Sequence, residues 1–354
     1  MANQRKQMPR TRKPRAGSMQ FWPRVRARHS YARIRNWPAS KEQKPLGFAG
    51  YKVGMTHLLI NDNRPHSLTK GTDIFCPITI VECPPLKTAS IRFYKNTQNG
   101  SKLVSEQFAN SLDKELERKI TPQKKKDNET AESERAKQTQ SYADEGHTHS
   151  HAQSIDFDFI RMLCYTQPKL TGIGKKKPEI FETAIGGNAE QQLAYAKEKL
   201  GKEITINEVF KEGQLLDAHS LTKGKGFQGP MKRFGIHLRQ HKSEKSIRNP
   251  GTLGPWRGQG HVMWRVAHAG KTGYNLRTEY NKLVLKIGNK ADEINAKGGF
   301  LNYGIVKNTY VLVKGSIAGT QKRLVRLTEA IRPKKAFEEP YQITYTSTES
   351  KQGV

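Results

Sequence analysis

The chain has 354 residues, enough for one sizeable domain or two, and its 62 Lys and Arg against 32 Asp and Glu give a formal charge of +30 with only 34% hydrophobic residues. That balance is poor in apolar mass and rich in cations for a compact enzyme. Three cysteines, Cys76, Cys83 and Cys164, lack C-x-x-C spacing and leave one over, so neither a disulfide framework nor a zinc ribbon is supported and packed, reduced thiols are expected.

No apolar run approaches the roughly 18 to 20 residues needed to span a bilayer. The N-terminus carries charge and proline where a signal peptide needs an apolar stretch, so a cytoplasmic protein with no membrane partner is expected. An organelle transit peptide is the competing reading of an Arg-rich, acid-poor start; Pro9, Pro14, Pro23 and Pro38 interrupt the amphipathic helix it would need.

In chain order, residues 1–44 hold thirteen Lys and Arg against Glu42 alone, interleaved with Phe21, Trp22, Tyr31 and Trp37, and read as an extended basic arm. Short β-prone runs follow at 46–60, 74–83 and 88–95, separated by an Asn-Asp-Asn-Arg-Pro cluster and Pro84-Pro85. Residues 104–120 predict a helix, with Leu112 and Leu116 four apart among mixed charges. From 121 to 150 no aliphatic side chain is larger than alanine, so this stretch reads as a solvated part of an α+β insertion spanning 101–202. Apolar character returns at 155–166, a strand is predicted at 179–185, and a helix runs from the cap Asn188, with Gln191 in the capping-box position, to Leu200 and Gly201.

Strands are predicted again at 203–210, 214–222, 283–287, 299–306, 309–314 and 322–328. Many short strands with turn signals between them argue for a mainly β body, a closed β-barrel carrying long non-globular basic extensions. The predicted division is an arm (1–44), barrel strands (45–100, 203–222 and 283–332), the insertion, a basic finger (223–282) and a C-terminal tail (333–354).

The finger holds thirteen Lys and Arg against Glu244 and Glu279, together with six aromatic rings and almost no aliphatic core material. Such a segment cannot bury enough apolar surface to offset its conformational entropy, and structured RNA is the polyanion expected to order it. Gly224, Gly226 and Gly229 fit G-x-G-x-x-G after a strand, but Pro230 and Gly235 are expected to break the helix that dinucleotide binding requires. Two readings stay open for these glycines, close approach to RNA phosphates or a purely structural turn. His237 and His241 lie four apart without a carboxylate or thiol to complete a metal site, and no physiological metal is expected. Trp256, in Gly254-Pro255-Trp256-Arg257, has too little apolar company to be buried and is expected at the finger tip, stacking on bases. For Trp264, stacking on RNA and packing on the finger's own stem stand even.

The residues expected to contact RNA are Arg10, Arg12, Arg15, Trp22, Arg24, Arg26 and Arg28 in the arm. In the finger they are Lys223, Gly224, Lys225, Gly226, Gly229, Lys232, Arg233, His237, Arg239, His241, Lys242, Lys245, Arg248, Trp256, Arg257, His261, Trp264, Arg265, Lys271 and Arg277.

Phe210, Asp217, Ser220, Thr222, Gly224, Lys225, Gly226, Gly229 and Arg233 resemble the signature of the universal large-subunit ribosomal protein L-three family, in its archaeal and eukaryotic form. GYKVGMT at 50–56, GHVMWRVAHAGKTGY at 260–274, RTEYNK at 277–282, GGFLNYG at 298–304 and VKGSIAGTQKRLVRL at 313–327 resemble further blocks of that family. The resemblance implies a barrel of the translation-protein type on the ribosome's outer side and a finger threading through ribosomal RNA towards the peptidyl transferase centre, with Trp256 at its tip. It implies large-subunit ribosomal RNA and neighbouring ribosomal proteins as partners, tRNA and translation factors as indirect ones, no homo-oligomer and no catalysis. No cofactor is expected beyond Mg2+ or K+ that the RNA itself would hold. An extraribosomal RNA chaperone and a nucleic-acid-processing enzyme remain as alternatives.

Overall fold

β-Branched and aromatic runs bounded by turns dominate this chain, and the computed structural model, which describes residues 17, 21–121, 157–255, 260–333 and 341–350, is mainly β. It divides into two compact units, Met1–Ser30 with Leu221–Arg277, and Tyr31–Ser220 with Thr278–Val354.

The larger unit is built on β1 (Gly47–Asn61), β2 (Asp73–Glu82), β8 (Leu215–Leu221), β11 (Leu276–Gly288), β12 (Tyr310–Lys314) and β13 (Leu324–Glu329). These pair in the order β13-β8-β11-β12-β2-β1, and a further β13–β1 pairing closes them into a ring. The length of β1 makes closure possible. Its first residues, Gly47–Tyr51, pair with β13, while Tyr51–Asn61 pair with β2. β14 (Ile343–Thr346) adds to the other end of β1, opposite Leu58–Ile60. Along β1 the first eight residues are all buried, and from Met55 onward burial alternates, as expected of a strand covered on both faces and then on one.

A second sheet, entered and left between β2 and β8, contains β3 (Leu86–Thr97), β4 (Gly100–Phe108), β5 (Phe159–Tyr165) and β6 (Ile180–Ala184) in the order β4-β3-β5-β6, with β7 (Glu203–Ile204) on β3. Helix α1 (Ala189–Lys199) begins at Asn188 with the expected capping box to Gln191 and stops before Gly201, whose φ is +75°. A single apolar cluster joins the two sheets, from Tyr51, Ile78 and Val313 to Ile91, Ile160 and Phe181. All three cysteines are reduced and buried, as their spacing suggests.

Four sequence expectations are corrected. The helix expected at 104–120 is strand β4 followed by a single 3-10 turn at Leu116–Arg118. β4 pairs with β3 through a tight hairpin that turns at Gln98-Asn99, with Thr97 facing Gly100 at φ +110°, and this turn outweighs the helix-like spacing beyond it. The strand expected at 203–210 is the two-residue β7 and a 3-10 turn at Ile206–Glu208. Residues 299–306 make only an isolated bridge between Phe300 and Gly304. Their loop is held by the buried Glu82 carboxylate, which accepts from the backbone N–H of Lys307 at 2.9 Å and Asn308 at 3.0 Å and from the Tyr303 hydroxyl. The final strands also exceed their predicted bounds: β11 begins at Leu276, within the segment read as finger, and β14 lies in the segment read as a tail.

Residues 31–37 belong to the larger unit, where Ala32 and Ile34 are buried. The buried Arg326 donates to the carbonyls of Ala32 at 3.3 Å and Glu182 at 2.6 Å and lies over the rings of Phe181 and Trp37. Among the described residues, no helix is long and apolar enough to cross a membrane.

Candidate nucleic-acid interface

The smaller unit collects twenty-one Lys and Arg and a single acid, Glu244, so its charge cannot be neutralised from within. Among its described residues after Leu221 none is fully buried. What order it has comes from backbone pairing and from rings.

The base of the finger is a narrow ladder. The N–H groups of Thr222, Lys225 and Thr272 donate to the carbonyls of Asn275 (3.0 Å), Thr272 (2.8 Å) and Gly226 (2.9 Å), and β9 (Phe227–Gln228) pairs with β10 (Gly270–Lys271). Gly273 turns the return strand at φ +80°, and a Cβ there would collide with the Lys223 carbonyl oxygen. Helix α2 (Pro230–Phe234) follows the glycine motif, capped by Gly229 and ended by Gly235 at φ +69°. Pro230 therefore starts a helix rather than breaking one, since its missing N–H costs nothing at the first position. Five residues are still too few to pack on a strand and aim a dipole at pyrophosphate. A Cβ on Gly229 would meet nothing within 4 Å, and one on Gly224 nothing nearer than 3.8 Å. Packing within the protein therefore does not require glycine at these two positions, and the backbone lies open to an approaching ligand.

Beyond α2 the chain closes on itself twice. Arg239 N–H donates to the Ile247 carbonyl at 3.0 Å and its guanidinium to that of Pro250, while Met263 N–H meets the Leu253 carbonyl at 3.1 Å. The second contact draws together the two flanks of the segment that contains Trp256.

Aromatic and cationic contacts join the arm to the finger within this unit. Trp22 packs against Phe234 at 5.7 Å and edge-on to Trp264 at 5.4 Å, and the Arg24 guanidinium lies 4.1 Å over the Phe234 ring. Arg26 lies over Tyr274 at 5.3 Å and Arg277 over Phe21 at 4.4 Å. Backbone bonds add to these: Ala27 N–H donates to the Tyr274 carbonyl (3.0 Å) and the Asn275 amide to that of Val25 (3.0 Å).

Among the residues expected at RNA, Lys223, Lys225, Lys232, His237, Arg239, His241, Lys242, Lys245, Arg248, His261, Trp264, Arg265 and Lys271 are exposed, as are Arg26 and Arg28. Gly224, Gly226 and Gly229 are exposed too. Trp22, Arg24, Arg233 and Arg277 are half-buried, and Arg233 spends Nη1 on the carbonyls of His268 (3.0 Å) and Ala269 (3.4 Å). Trp264 packs edge-on against Trp22 of the arm rather than on the finger's own stem, and it remains 67% exposed. Gly254 and Pro255 are described; Arg10, Arg12, Arg15, Trp256 and Arg257 lie outside the described residues, as does most of the insertion segment at 121–150. No group of three His, Cys, Asp or Glu able to hold a metal occurs among the described residues.

Sequence reasoning left out Phe21, Phe234 and Tyr274 as the rings that hold the arm. Nothing in the local sequence pairs them with cations some 200 residues away. Within the signature, Phe210, Asp217 and Ser220 are buried in the larger unit, whereas the segment from Gly224 to Gly229 is exposed apart from the half-buried Gln228, so one motif serves both packing and presentation.

The family model described as Ribosomal protein L3 matches residues 8–353. Among curated relatives, the large ribosomal subunit protein uL3 of Methanobrevibacter smithii is 46% identical over 98% of this chain and 100% of its own length. The proteins of the same name from Archaeoglobus fulgidus and Methanocaldococcus jannaschii are each 45% identical, covering 96% of this chain and 98% of theirs. With a cation-rich unit whose finger has no buried side chain among the described residues, a closed ring of strands, and agreement along nearly its whole length, the chain belongs to the ribosomal protein L3 family.

Proposed function

We propose that this protein is a structural constituent of the cytoplasmic large ribosomal subunit, where it binds large-subunit ribosomal RNA and neighbouring ribosomal proteins. Its family is one of structural proteins, and it is not an enzyme. The observation that carries the RNA-binding reading is the smaller unit's twenty-one cations against Glu244 alone, with no buried residue in the finger among those described after Leu221. Phosphates are the counter-charge that such a surface needs.

In this reading the closed ring is a β-barrel of the translation-protein type, its strands drawn from 47–61, 73–82, 215–221, 276–288, 310–314 and 324–329, with the sheet of β3 to β7 as an insertion. The arm up to Ser30 and the finger between β8 and β11 are extensions for RNA cavities too narrow for the barrel, whereas 31–44 and β14 go with the larger unit. The exposed cations neutralise phosphates, Gly224 and Gly229 admit close backbone approach, and the exposed rings stack on unpaired bases. The tip, Gly254-Pro255-Trp256-Arg257, points towards the peptidyl transferase centre, through which the protein influences aminoacyl-tRNA accommodation and, indirectly, factor binding.

Sedimentation tests the assignment. The protein should pellet with large subunits in stoichiometric amount and stay there through moderate salt; recovery in the supernatant after ribosomes are removed would reject it. Trp256→Ala should leave thermal stability nearly unchanged while slowing tRNA accommodation, and a large loss of stability would place this indole in a core instead.

A further inference from the structure

On the larger unit, β1, β2 and β14 turn an apolar side towards solvent. In β1, Thr56, Leu58 and Ile60 are buried, while the alternating Met55, His57 and Leu59 face outward. β2 does the same, with Cys76 and Ile78 buried and Phe75 and Pro77 exposed. Register brings the outward set together: Phe75 and Tyr345 oppose Leu59 from its two sides, and Pro77 opposes His57. The His57 ring stacks on Phe75 with centroids 4.7 Å apart and 27° between planes, and its centroid lies 6.4 Å from that of Tyr345. Phe75 nevertheless remains 64% exposed, and Met55 and Tyr345 43% each.

A contiguous set of exposed rings and a methionine is the composition of an interface core, which is rich in Phe, Tyr and Met and poor in charge. Charge then identifies the partner. The chain has 62 Lys and Arg, yet none occupies an outward position on these three strands, and the charged side chain that shares the face is the exposed Asp73, two residues before Phe75. An RNA strand laid here would set its phosphates against a carboxylate with no cation to neutralise them. A basic polypeptide is complementary: its apolar side chains cover the rings, and its Lys or Arg heads meet Asp73 and the ring faces.

We propose that this face docks a neighbouring basic protein of the large ribosomal subunit, which seats an apolar side chain flanked by Lys or Arg against His57, Phe75 and Tyr345. The site rests on the reading of the chain as a large-subunit constituent and adds to it the surface that holds a protein rather than RNA.

Phe75→Glu places a second carboxylate on the face at an exposed position, so the circular-dichroism melt of the free protein and its content in large subunits should match wild type. One neighbouring protein should be retained roughly tenfold less through a moderate-salt wash, the effect of losing one aromatic anchor, as read by quantitative mass spectrometry of the subunits. A full protein complement in the variant subunits overturns the proposal and leaves the ribosomal assignment standing. Absence of the wild-type chain from subunits overturns that assignment instead. Should Phe75→Glu fail to enter subunits, a benzophenone side chain in place of the Phe75 ring decides the matter in the intact particle. Irradiation should join it to a peptide of another ribosomal protein in which Lys or Arg flanks apolar residues. An adduct with ribosomal RNA, with another segment of this chain or with a second copy of it refutes the proposal, as does the absence of any adduct.

Discussion

Single side chains in this protein hold loops that lack ladders of their own. Asp217, fully buried on β8, accepts from the backbone N–H of Asn281 at 2.9 Å and of Ile331 at 3.1 Å, tying the irregular part of β11 and the end of β13 to one carboxylate. Asp217→Ala strands both donors, and a loss of about 2–4 kcal/mol in denaturant unfolding is expected, with Asp217→Asn losing less because one acceptor oxygen survives. His219, two residues on, is buried with its ring nitrogens 3.0 Å from the hydroxyls of Thr278 and Thr328. Burial, with the Arg326 charge adding to it, pushes its pKa down from 6.5 to about 4. The unfolded chain therefore binds a proton that the folded chain refuses between those values. Stability from this group is complete above pH 6.5 and is lost as pH falls towards 4. Unfolding followed against pH should show His219→Gln with a flatter slope in that window, the difference being on the order of 2–3 kcal/mol; parallel slopes would show that the imidazole charges freely in the fold.

The elements that were legible in the sequence were those whose own residues decide them. β1, β2, β3, β12 and β13 are apolar β-branched runs between turn signals, and α1 carries its capping box and terminal glycine. β4 was not legible because it is an exposed edge whose burial pattern never alternates, and the hairpin turn at Gln98-Asn99 decides its fate. β14 was not legible because four residues in a polar stretch gain their order from the far end of β1. The site divides in the same way. Its cations, glycines and exposed rings could be read directly, whereas the packing of Trp22 on Phe234 and Trp264 is a contact between distant segments that no local pattern encodes. The finger's own test is Gly273→Ala, which drives a Cβ into the Lys223 carbonyl at the turn opposite the glycine motif. Strain of roughly 1–3 kcal/mol should stay local to that turn. Affinity for ribosomal RNA should fall by about tenfold in filter binding, with the circular-dichroism melt of the larger unit unchanged; a coincident drop in melting temperature would mean that the turn supports the ring of strands.

For the whole molecule the decisive property is how charge is divided. The smaller unit carries a net +20 of the total +30 in about a quarter of the chain, while the larger unit, with its continuous apolar core, has the charge density of an ordinary domain. One part is thus built to fold and the other to be neutralised, and the account stands on phosphate supplying that neutralisation. Binding of the isolated full-length protein to large-subunit ribosomal RNA, measured across a series of salt concentrations, tests this most directly. With about ten phosphates contacted, the plot of log affinity against log salt should fall with a slope on the order of −7 to −9; a flat response would contradict it.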